Sequence, residues 1–172
     1  MSSDAARQQL EALAEVGRLL ERRRIEWWLF GGWAVDFHVG EVKREHADVD
    51  LAVRLDDAET AGALLLAAGW RHAPAAGEDG GTGYERGSAR VELTYITSDA
   101  AGRVLVALRS GSVLWSEHPL GSDVRELLGV RARVIPLELL RRGKRSPRDD
   151  PRDAENDRAD LQALAALDEA KT

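Results

Sequence analysis

The sequence predicts an α+β protein in which a mixed β-sheet is flanked by helices. Three features of the chain lead to this fold class. Apolar residues recur at helical spacing over about residues 4–23, and polar and apolar residues alternate over 48–53. Short apolar runs then follow one another at hairpin-like spacing over 84–108.

The length of the chain limits it to one domain. With 172 residues and 44% hydrophobic content, the chain is long enough to bury one core and too short to bury two full ones. We therefore expect a single domain over residues 1–172, with a core over about 1–110 and a C-terminal strand and helix segment over about 111–172.

The first helix and strand are predicted by their apolar residues. The helix has Ser3 or Asp4 as its N-cap, and it most readily packs on the sheet. Its apolar face consists of Leu10, Leu13, Val16 and Leu20. Residues 27–30 are wholly apolar and predict a short buried strand.

A pair of glycines follows this strand. Gly31 and Gly32 give way to a short helix over 33–39 that Gly40 closes. Glycines let the backbone approach a ligand closely, and the free amides at a helix N-terminus favour an anion such as a triphosphate. A glycine pair alone more often makes only a tight turn. The order of the features, with a basic stretch over 43–46 and then an acidic strand, favours the ligand-binding interpretation.

Two aspartates stand on the acidic strand, which covers residues 48–53. Alternation puts Asp48 and Asp50 on one face, with their Cα atoms about 7 Å apart, and turns the intervening apolar residues towards a core. Mg²⁺ prefers oxygen ligands and takes one or two protein carboxylates together with phosphate oxygens. An isolated Asp-x-Asp is more often a solvated pair or a turn cap. The pair therefore predicts a metal site only in combination with the glycine turn before it.

A second amphipathic helix follows, capped by Asp56 or Asp57 and ended by Gly69. Its apolar residues are Ala61, Leu64, Leu65 and Ala68. After a short strand over 70–73, residues 74–83 contain too many glycines and other breakers for regular structure, and we expect a mobile loop beside the site. A plain hairpin connection is favoured over a lid.

The rest of the sheet is predicted from short apolar runs. Three strands cover residues 84–86, 91–97 and 103–108. No regular element is assigned to residues 115–129, and residues 130–135 predict a further strand.

The C-terminal part is predicted to be helical on both sides of a basic run. Pro136 opens a short helix that continues through Leu140. The basic run over 141–148 predicts a flexible, solvated linker, although it could instead draw in a triphosphate. The last helix buries apolar residues at helical spacing, which are Leu161, Leu164 and Leu167.

The composition narrows the class of partner. The chain has no cysteine, which excludes disulfides, thiolate nucleophiles and cysteine-bound zinc. The N-terminus lacks the apolar segment of a signal peptide and no run is long enough to span a membrane, so we expect a cytoplasmic protein without a membrane partner. The net charge of −6 argues against a nucleic-acid partner and favours a cationic small substrate.

The glycine turn and the acidic strand together match a known pattern. Gly31-Gly32-Trp33-Ala34-Val35-Asp36 is followed by Lys43-Arg44-Glu45-His46-Ala47-Asp48-Val49-Asp50. This block of about thirty residues resembles the nucleotidyltransferases with a DNA polymerase β-like fold. Within that superfamily it is most similar to the small antibiotic-modifying members, the aminoglycoside and lincosamide nucleotidyltransferases. The resemblance implies the same fold for this chain.

The resemblance also implies an enzyme with Mg²⁺ as its cofactor. Such an enzyme moves AMP, or another nucleoside monophosphate, from ATP or another nucleoside triphosphate to a hydroxyl of a small molecule such as an aminoglycoside or lincosamide, and it releases pyrophosphate. Asp48 and Asp50 would hold the metal, and Gly31, Gly32 and Arg44 would bind the triphosphate. Arg44 could equally be a surface residue.

A third carboxylate is implied on a later strand, and Glu92 is the candidate. Alternation places Glu92 and Thr94 on the face opposite Val91, Leu93 and Tyr95. There Glu92 would reach the metal or take the proton from an acceptor hydroxyl, and both roles stay open. An exposed glutamate on a strand is otherwise more often only solvated.

Neighbouring residues of the pattern are assigned structural roles. His46 is expected to order the turn before the acidic strand rather than to titrate, because metal-assisted phosphoryl transfer needs no histidine base. Asp36 is expected to order the same connection, and Trp33 to pack in the core. In the last helix Asn156 stands where relatives carry a lysine, and Lys144 could substitute if the basic run folds inward.

Two other functions stay open. A nucleotidyltransferase of the antitoxin type would modify a protein partner, whereas a non-catalytic module of the same fold would bind a nucleotide without turnover. The intact carboxylates argue against the non-catalytic module. The oligomeric state is open as well, a homodimer included.

Overall fold

The computed structural model describes residues 3–169 and confirms the predicted α+β class. Residues 1–2 and 170–172 of the predicted domain lie outside the described residues. In chain order the elements are α1 (Asp4–Arg22), β1 (Trp27–Phe30), α2 (Gly31–Val39), β2 (Val49–Arg54), α3 (Ala58–Ala67), β3 (Arg71–His72), β4 (Gly81–Arg86), β5 (Ala89–Ser98), β6 (Val104–Leu108), β7 (Gly111–Ser116), β8 (Val124–Leu127), β9 (Val130–Arg133), α4 (Leu137–Arg145) and α5 (Pro151–Glu169). Over residues 3–169, no helix combines the length and the apolar character needed to cross a membrane.

Seven strands form one mixed sheet, in which β2 lies between β1 and β5. β2 runs parallel to β5 and antiparallel to β1. β4 and β3 continue the sheet beyond β5, β6 and β7 extend from the C-terminal end of β5, and β8 and β9 form a separate hairpin. The register sets Asp50 beside Phe30 on β1 and beside Glu92 on β5. The sheet therefore brings two of the predicted acidic residues to the same level on neighbouring strands.

Helix α1 forms as predicted. The Ala6 amide donates a hydrogen bond of 3.2 Å to Ser3 Oγ, which makes Ser3 the N-cap. All four residues of the predicted apolar face are buried, and the helix packs against β5 and β9. Midway along this face, a Cβ atom added at Gly17 would lie 2.7 Å from Trp27 Cζ2. Gly17 thus allows the helix to approach the Trp27 ring closely.

Two details in the first half of the chain differ from the prediction. Asp57 is the N-cap residue of α3, but its carboxylate does not bond the helix amides, because a 3₁₀ turn over Leu55–Asp57 leads into the helix instead. Strand β4 begins at Gly81, within the segment predicted as a loop. Gly81 and Thr82 pair with β5 through their backbones. Glycine weakens the sequence pattern of a strand without preventing its hydrogen bonds.

Most differences lie between β6 and the last helix. The sequence does not predict β7 or β8, because edge strands with exposed residues such as Val113 and Leu114 lack a clear alternation. Helix α4 continues to Arg145, through the run predicted as a flexible, solvated linker. That prediction is wrong, because Lys144 is only 9% exposed and forms ion pairs with two acidic residues of α5.

Gly17→Ala is expected to lower the free energy of unfolding by about 1–3 kcal/mol, because the added methyl group overlaps the buried Trp27 ring. Gly143→Ala, in α4, is the matched control, since a Cβ atom there meets nothing within 4 Å. Its higher helix propensity is expected to raise the free energy of unfolding by about 0.5–1 kcal/mol. Urea unfolding followed by circular dichroism measures both variants. Equal effects of the two substitutions would contradict this account of the packing.

Candidate active site

The glycine pair makes room for two sets of side chains at the start of α2. Helix α2 begins at Gly31, which has a φ of 69°, rather than two residues later as predicted. A Cβ atom on Gly31 would overlap the Asp50 carboxylate, and one on Gly32 would lie 2.5 Å from Arg44 Nη2 and would overlap the His46 ring. The two glycines are therefore required for the acidic strand and the basic stretch to converge on this helix N-terminus.

A buried hydrogen-bonded brace holds the basic stretch against α2. Asp36 is fully buried, and its Oδ2 lies 2.6 Å from His46 Nε2 while its Oδ1 accepts a 3.2 Å hydrogen bond from the Lys43 amide. The His46 ring in turn lies 4.5 Å from the buried Trp33 ring, between centroids. These contacts confirm the structural roles predicted for His46, Asp36 and Trp33.

Asp48 and Asp50 line one cavity, and both are half-buried. Burial raises the pKa of Asp48 above its ordinary value, against the opposing charge of Arg90. Burial and the neighbouring charge of Asp48 raise the pKa of Asp50 well above its ordinary value. Within residues 3–169 neither carboxylate has a hydrogen-bond or ion-pair partner. Two close, desolvated and unpaired carboxylates are a donor set that a hard divalent cation would satisfy.

Glu92 lies on β5 next to Asp50, but its carboxylate is already paired. Arg90 Nε donates a 2.5 Å hydrogen bond to Glu92 Oε1, and Arg90 Nη1 lies 2.7 Å from Glu85 Oε1. Burial raises the pKa of Glu92 to about 6, against the lowering effect of Arg90. In the described part of the chain no three acidic, histidine or cysteine side chains converge on one metal position. Asp48 and Asp50 thus fit a metal as a pair, and Glu92 as a third ligand stays a prediction.

The cavity has a volume of about 410 Å³ and two chemically distinct walls. One wall is apolar, and its aromatic part is an edge-to-face pair of Phe30 and Trp115 with ring centroids 5.3 Å apart. The rest of this wall consists of Ile135, Leu139 and Leu140. The other wall carries the charged residues of the motif together with charged residues of the C-terminal helices. Glu92 does not line the cavity.

Five side chains of the charged wall form an alternating chain of ion pairs, which we call the charge ladder: Arg44, Asp160, Lys144, Asp157 and Arg148. Arg44 Nε and Nη2 donate to the two oxygens of Asp160 at 2.8 and 2.9 Å. Lys144 Nζ lies 2.8 Å from Asp160 Oδ2 and 2.9 Å from Asp157 Oδ1, and Arg148 Nε donates to Asp157 Oδ2 at 2.8 Å.

The charge ladder corrects and extends the sequence prediction. Arg44 is not a plain surface residue, since its side chain is only 21% exposed and is held by Asp160. Lys144 does reach the site, although as part of a helix rather than of a folded loop. Sequence reasoning included Arg148 only within the basic run over 141–148, and it missed Trp115. The acidic pattern in the last helix was the available signal for Arg148, and no local pattern marks Trp115.

Comparisons with known sequences agree with the motif. The profile of the aminoglycoside-2″-adenylyltransferase family matches residues 12–78, which include the glycine turn and both aspartates. A lincosamide resistance protein of Staphylococcus haemolyticus is 46% identical over 33 residues, and these make up 19% of this chain and 20% of that protein. The alignment therefore spans only about one fifth of that relative.

Comparisons with solved structures extend over most of the chain. A lincosamide antibiotic adenylyltransferase with lincomycin bound superimposes with a TM-score of 0.71 at 18% identity, covering 91% of this chain and 96% of that one. ANT(2″)-Ia in complex with adenylyl-2″-tobramycin superimposes with a TM-score of 0.66 at 21% identity, covering 96% of this chain and 99% of that one. At these identities the structural matches show a shared fold. The chain therefore has the DNA polymerase β-like nucleotidyltransferase fold, and its predicted resemblance to the antibiotic-type nucleotidyltransferases is confirmed.

Proposed function

We propose that this protein transfers a nucleoside monophosphate from a nucleoside triphosphate to a hydroxyl of a small antibiotic, and that it releases pyrophosphate. The nucleoside monophosphate that we propose is AMP. The observation that carries the proposal is the unpaired, half-buried pair Asp48 and Asp50, set against a helix N-terminus opened by Gly31 and Gly32. The match of residues 12–78 to an adenylyltransferase family supports the same chemistry.

The triphosphate would lie at the start of α2. There the free amides of the first helical turn carry partial positive charge, and Gly31 and Gly32 leave the backbone uncovered. Arg44 lies directly above Gly32 and adds a full positive charge. A polyphosphate would thus meet backbone donors on one side and a guanidinium on the other.

Asp48 and Asp50 would hold Mg²⁺. When bound, the ion neutralises charge on the phosphate oxygens and orients the attacking and leaving oxygens. The chain contributes rigidity, because β2 pairs on both sides and its apolar residues Val49, Leu51 and Val53 are fully buried. Both carboxylates are therefore held in place before any ligand arrives.

Glu92 would accept the proton of the acceptor hydroxyl. In the transfer the acceptor oxygen forms a bond to the α-phosphorus, the bond from that phosphorus to the bridging oxygen breaks, and pyrophosphate leaves with the electron pair. The register of β2 and β5, which pairs Glu92 with Asp50, supports this role. Arg90 holds its carboxylate in position through a hydrogen bond.

The acceptor is assigned from the relatives and from the walls of the cavity. The relatives are named for lincosamides and aminoglycosides, which both carry several hydroxyls. The apolar wall with Phe30 and Trp115 offers a flat surface for a ring of the donor or acceptor. The net charge of −6 favours a cationic acceptor over a nucleic acid.

The proposal is tested by incubating the full chain with labelled nucleoside triphosphates, Mg²⁺ and a panel of aminoglycosides and lincosamides. The expected result is pyrophosphate release together with a mass increase of one nucleoside monophosphate on an antibiotic. Label on a protein partner instead would support the antitoxin-type activity. Nucleotide binding without any product across the panel would leave a non-catalytic module.

Asp48→Asn and Asp50→Asn are each expected to lower turnover by at least about a thousandfold, because one metal ligand and its charge are lost. Neither substitution is expected to lower the melting temperature, since a carboxylate whose pKa is raised by burial opposes folding at neutral pH. Asp56→Asn, at an exposed aspartate, is the control. Pyrophosphate release and thermal unfolding provide the two readouts. Full turnover in both site variants would refute the metal assignment.

Gly31→Ala is expected to reduce turnover by at least about a hundredfold, because the new methyl group displaces the Asp50 carboxylate. The positive φ of 69° adds backbone strain. Gly40→Ala is the matched control, since Gly40 also has a positive φ but has no atom within 4 Å of an added Cβ. Steady-state rates of both variants would show a large loss only at Gly31. A similar loss in the two variants would point to strain alone.

Glu92→Gln is expected to lower turnover by about 10²-fold to 10⁴-fold, the usual loss when a proton acceptor is removed. Glu85→Gln is the matched control, because Glu85 shares Arg90 with Glu92 but lies further from Asp50. The measurement is turnover at saturating triphosphate and acceptor. An effect of equal size in the two variants would assign the loss to Arg90 and not to Glu92.

A further inference from the structure

The charged wall of the cavity holds more positive charge than the proposed contacts of the triphosphate use. Three cations of the charge ladder, Arg44, Lys144 and Arg148, line the cavity. Two carboxylates, Asp157 and Asp160, pair with them, which leaves one net positive charge on the charge ladder, while Asp153 also lines the cavity. A net positive, partly buried group of side chains opposite two aspartates favours an anionic ligand between them.

Both carboxylates of the ladder are fully engaged. Asp160 is 1% exposed and receives Arg44 on both oxygens and Lys144 on one. Asp157 receives Lys144 on one oxygen and Arg148 on the other. Burial opposes ionisation of Asp160, but the hydrogen bonds from Arg44 and Lys144 outweigh it and hold its pKa below the ordinary value. The carboxylates therefore act as fixed anchors for the three cations.

Free N–H donors remain on all three cations of the charge ladder. Arg44 uses three of its five N–H donors, those of Nε and Nη2 on Asp160 and one of Nη1 on the Glu45 carbonyl, so two are left. The Lys144 ammonium has three N–H donors for two carboxylate partners, so one is left. Arg148 is bonded through Nε, and its two Nη groups have no partner within residues 3–169.

These free donors lie at the right place for the outer part of a polyphosphate. Lys144 and Arg148 line the same cavity as Gly31, Gly32 and Asp50. Phosphate oxygens accept short, strong hydrogen bonds from ammonium and guanidinium groups. An α-phosphate beside the two aspartates would leave the β- and γ-phosphates to extend along the wall.

We propose that Lys144 and Arg148 bind the β- and γ-phosphates of the donor and hold the pyrophosphate as it leaves, with Asp157 and Asp160 as positioning residues. The inference rests on the proposed function and adds to it the residues that neutralise the leaving group. Asp157 and Asp160 keep three like charges together on one wall, which without these carboxylates would repel one another.

The test uses the full chain, sodium tripolyphosphate as probe, and EDTA to exclude metal, with Kd measured by isothermal titration calorimetry. The wild-type protein is expected to bind the probe. Arg148→Gln is expected to weaken binding about tenfold, as for the loss of one charge-assisted contact. Arg145→Gln is the matched control, because Arg145 is an exposed arginine of α4 that does not line the cavity. Its effect is expected to stay within about twofold.

Asp157→Asn distinguishes a positioning role of Asp157 from an effect of its negative charge alone. Removing a negative charge near an anion would tighten binding if charge alone mattered. The proposal predicts weaker binding instead, because Lys144 and Arg148 lose their anchor. Lys144→Met is expected to weaken binding about tenfold or more, and Lys144→Arg to restore part of it. Circular dichroism checks the fold of each variant, and Arg148→Gln decides the test if the buried variants do not fold.

Each outcome separates this inference from the proposed function. A wild-type protein that does not bind tripolyphosphate, equal Kd values for Arg148→Gln and Arg145→Gln, or tighter binding by a folded Asp157→Asn would each overturn the inference, whether or not antibiotic is modified. If the substitutions weaken binding of the probe as expected but the protein modifies no acceptor, the role of Lys144 and Arg148 in phosphate binding would stand. The proposed transferase activity would then be refuted.

Discussion

The structure depends on the close approach of the Asp50 carboxylate to the backbone at Gly31. Any side chain at position 31 would occupy the space of that carboxylate. The approach is set by the pairing of β2 with β1, which ends at the start of α2, and it holds an anionic side chain against a helix N-terminus. The carboxylate attracts cations, the helix N-terminus attracts anions, and the two are thereby held close together. The chemistry proposed for the site follows from that forced proximity.

The aspartates around this point fall into two groups, one with ion-pair or hydrogen-bond partners and one without them among residues 3–169. Asp36, Asp157 and Asp160 are all paired with cationic or hydrogen-bonding side chains, and these pairs tie separate segments together. Asp48 and Asp50 have no such partner among residues 3–169, and burial raises the pKa of each. A protein rarely leaves desolvated carboxylates unpaired unless a ligand completes them. This contrast within one cavity sets Asp48 and Asp50 apart more clearly than the motif does by itself.

Local sequence patterns predicted those elements that are determined by residues close together in the chain. Helix α1, strand β1 and the two aspartates follow from periodicity, capping and alternation, all of which act within a few residues. Lys144 could not be placed in the same way, because its burial depends on Asp157 and Asp160, which follow a turn and lie in another helix. Strand β4 begins in a glycine-rich segment because its partner β5 supplies the hydrogen bonds. Trp115 reaches the cavity through β7, an edge strand with no alternation to reveal it.

The contact between Arg44 and Asp160 joins the segment between α2 and β2 to the last helix. The predicted core over residues 1–110 contains both aspartates and the glycine turn, yet Trp115, Lys144 and Arg148 of the cavity come from later segments. A fragment that stopped after β6 would keep the residues that define the motif and would lose the counter-ion of Arg44. The late helices therefore complete the electrostatics of a site whose motif lies wholly within the first third of the chain.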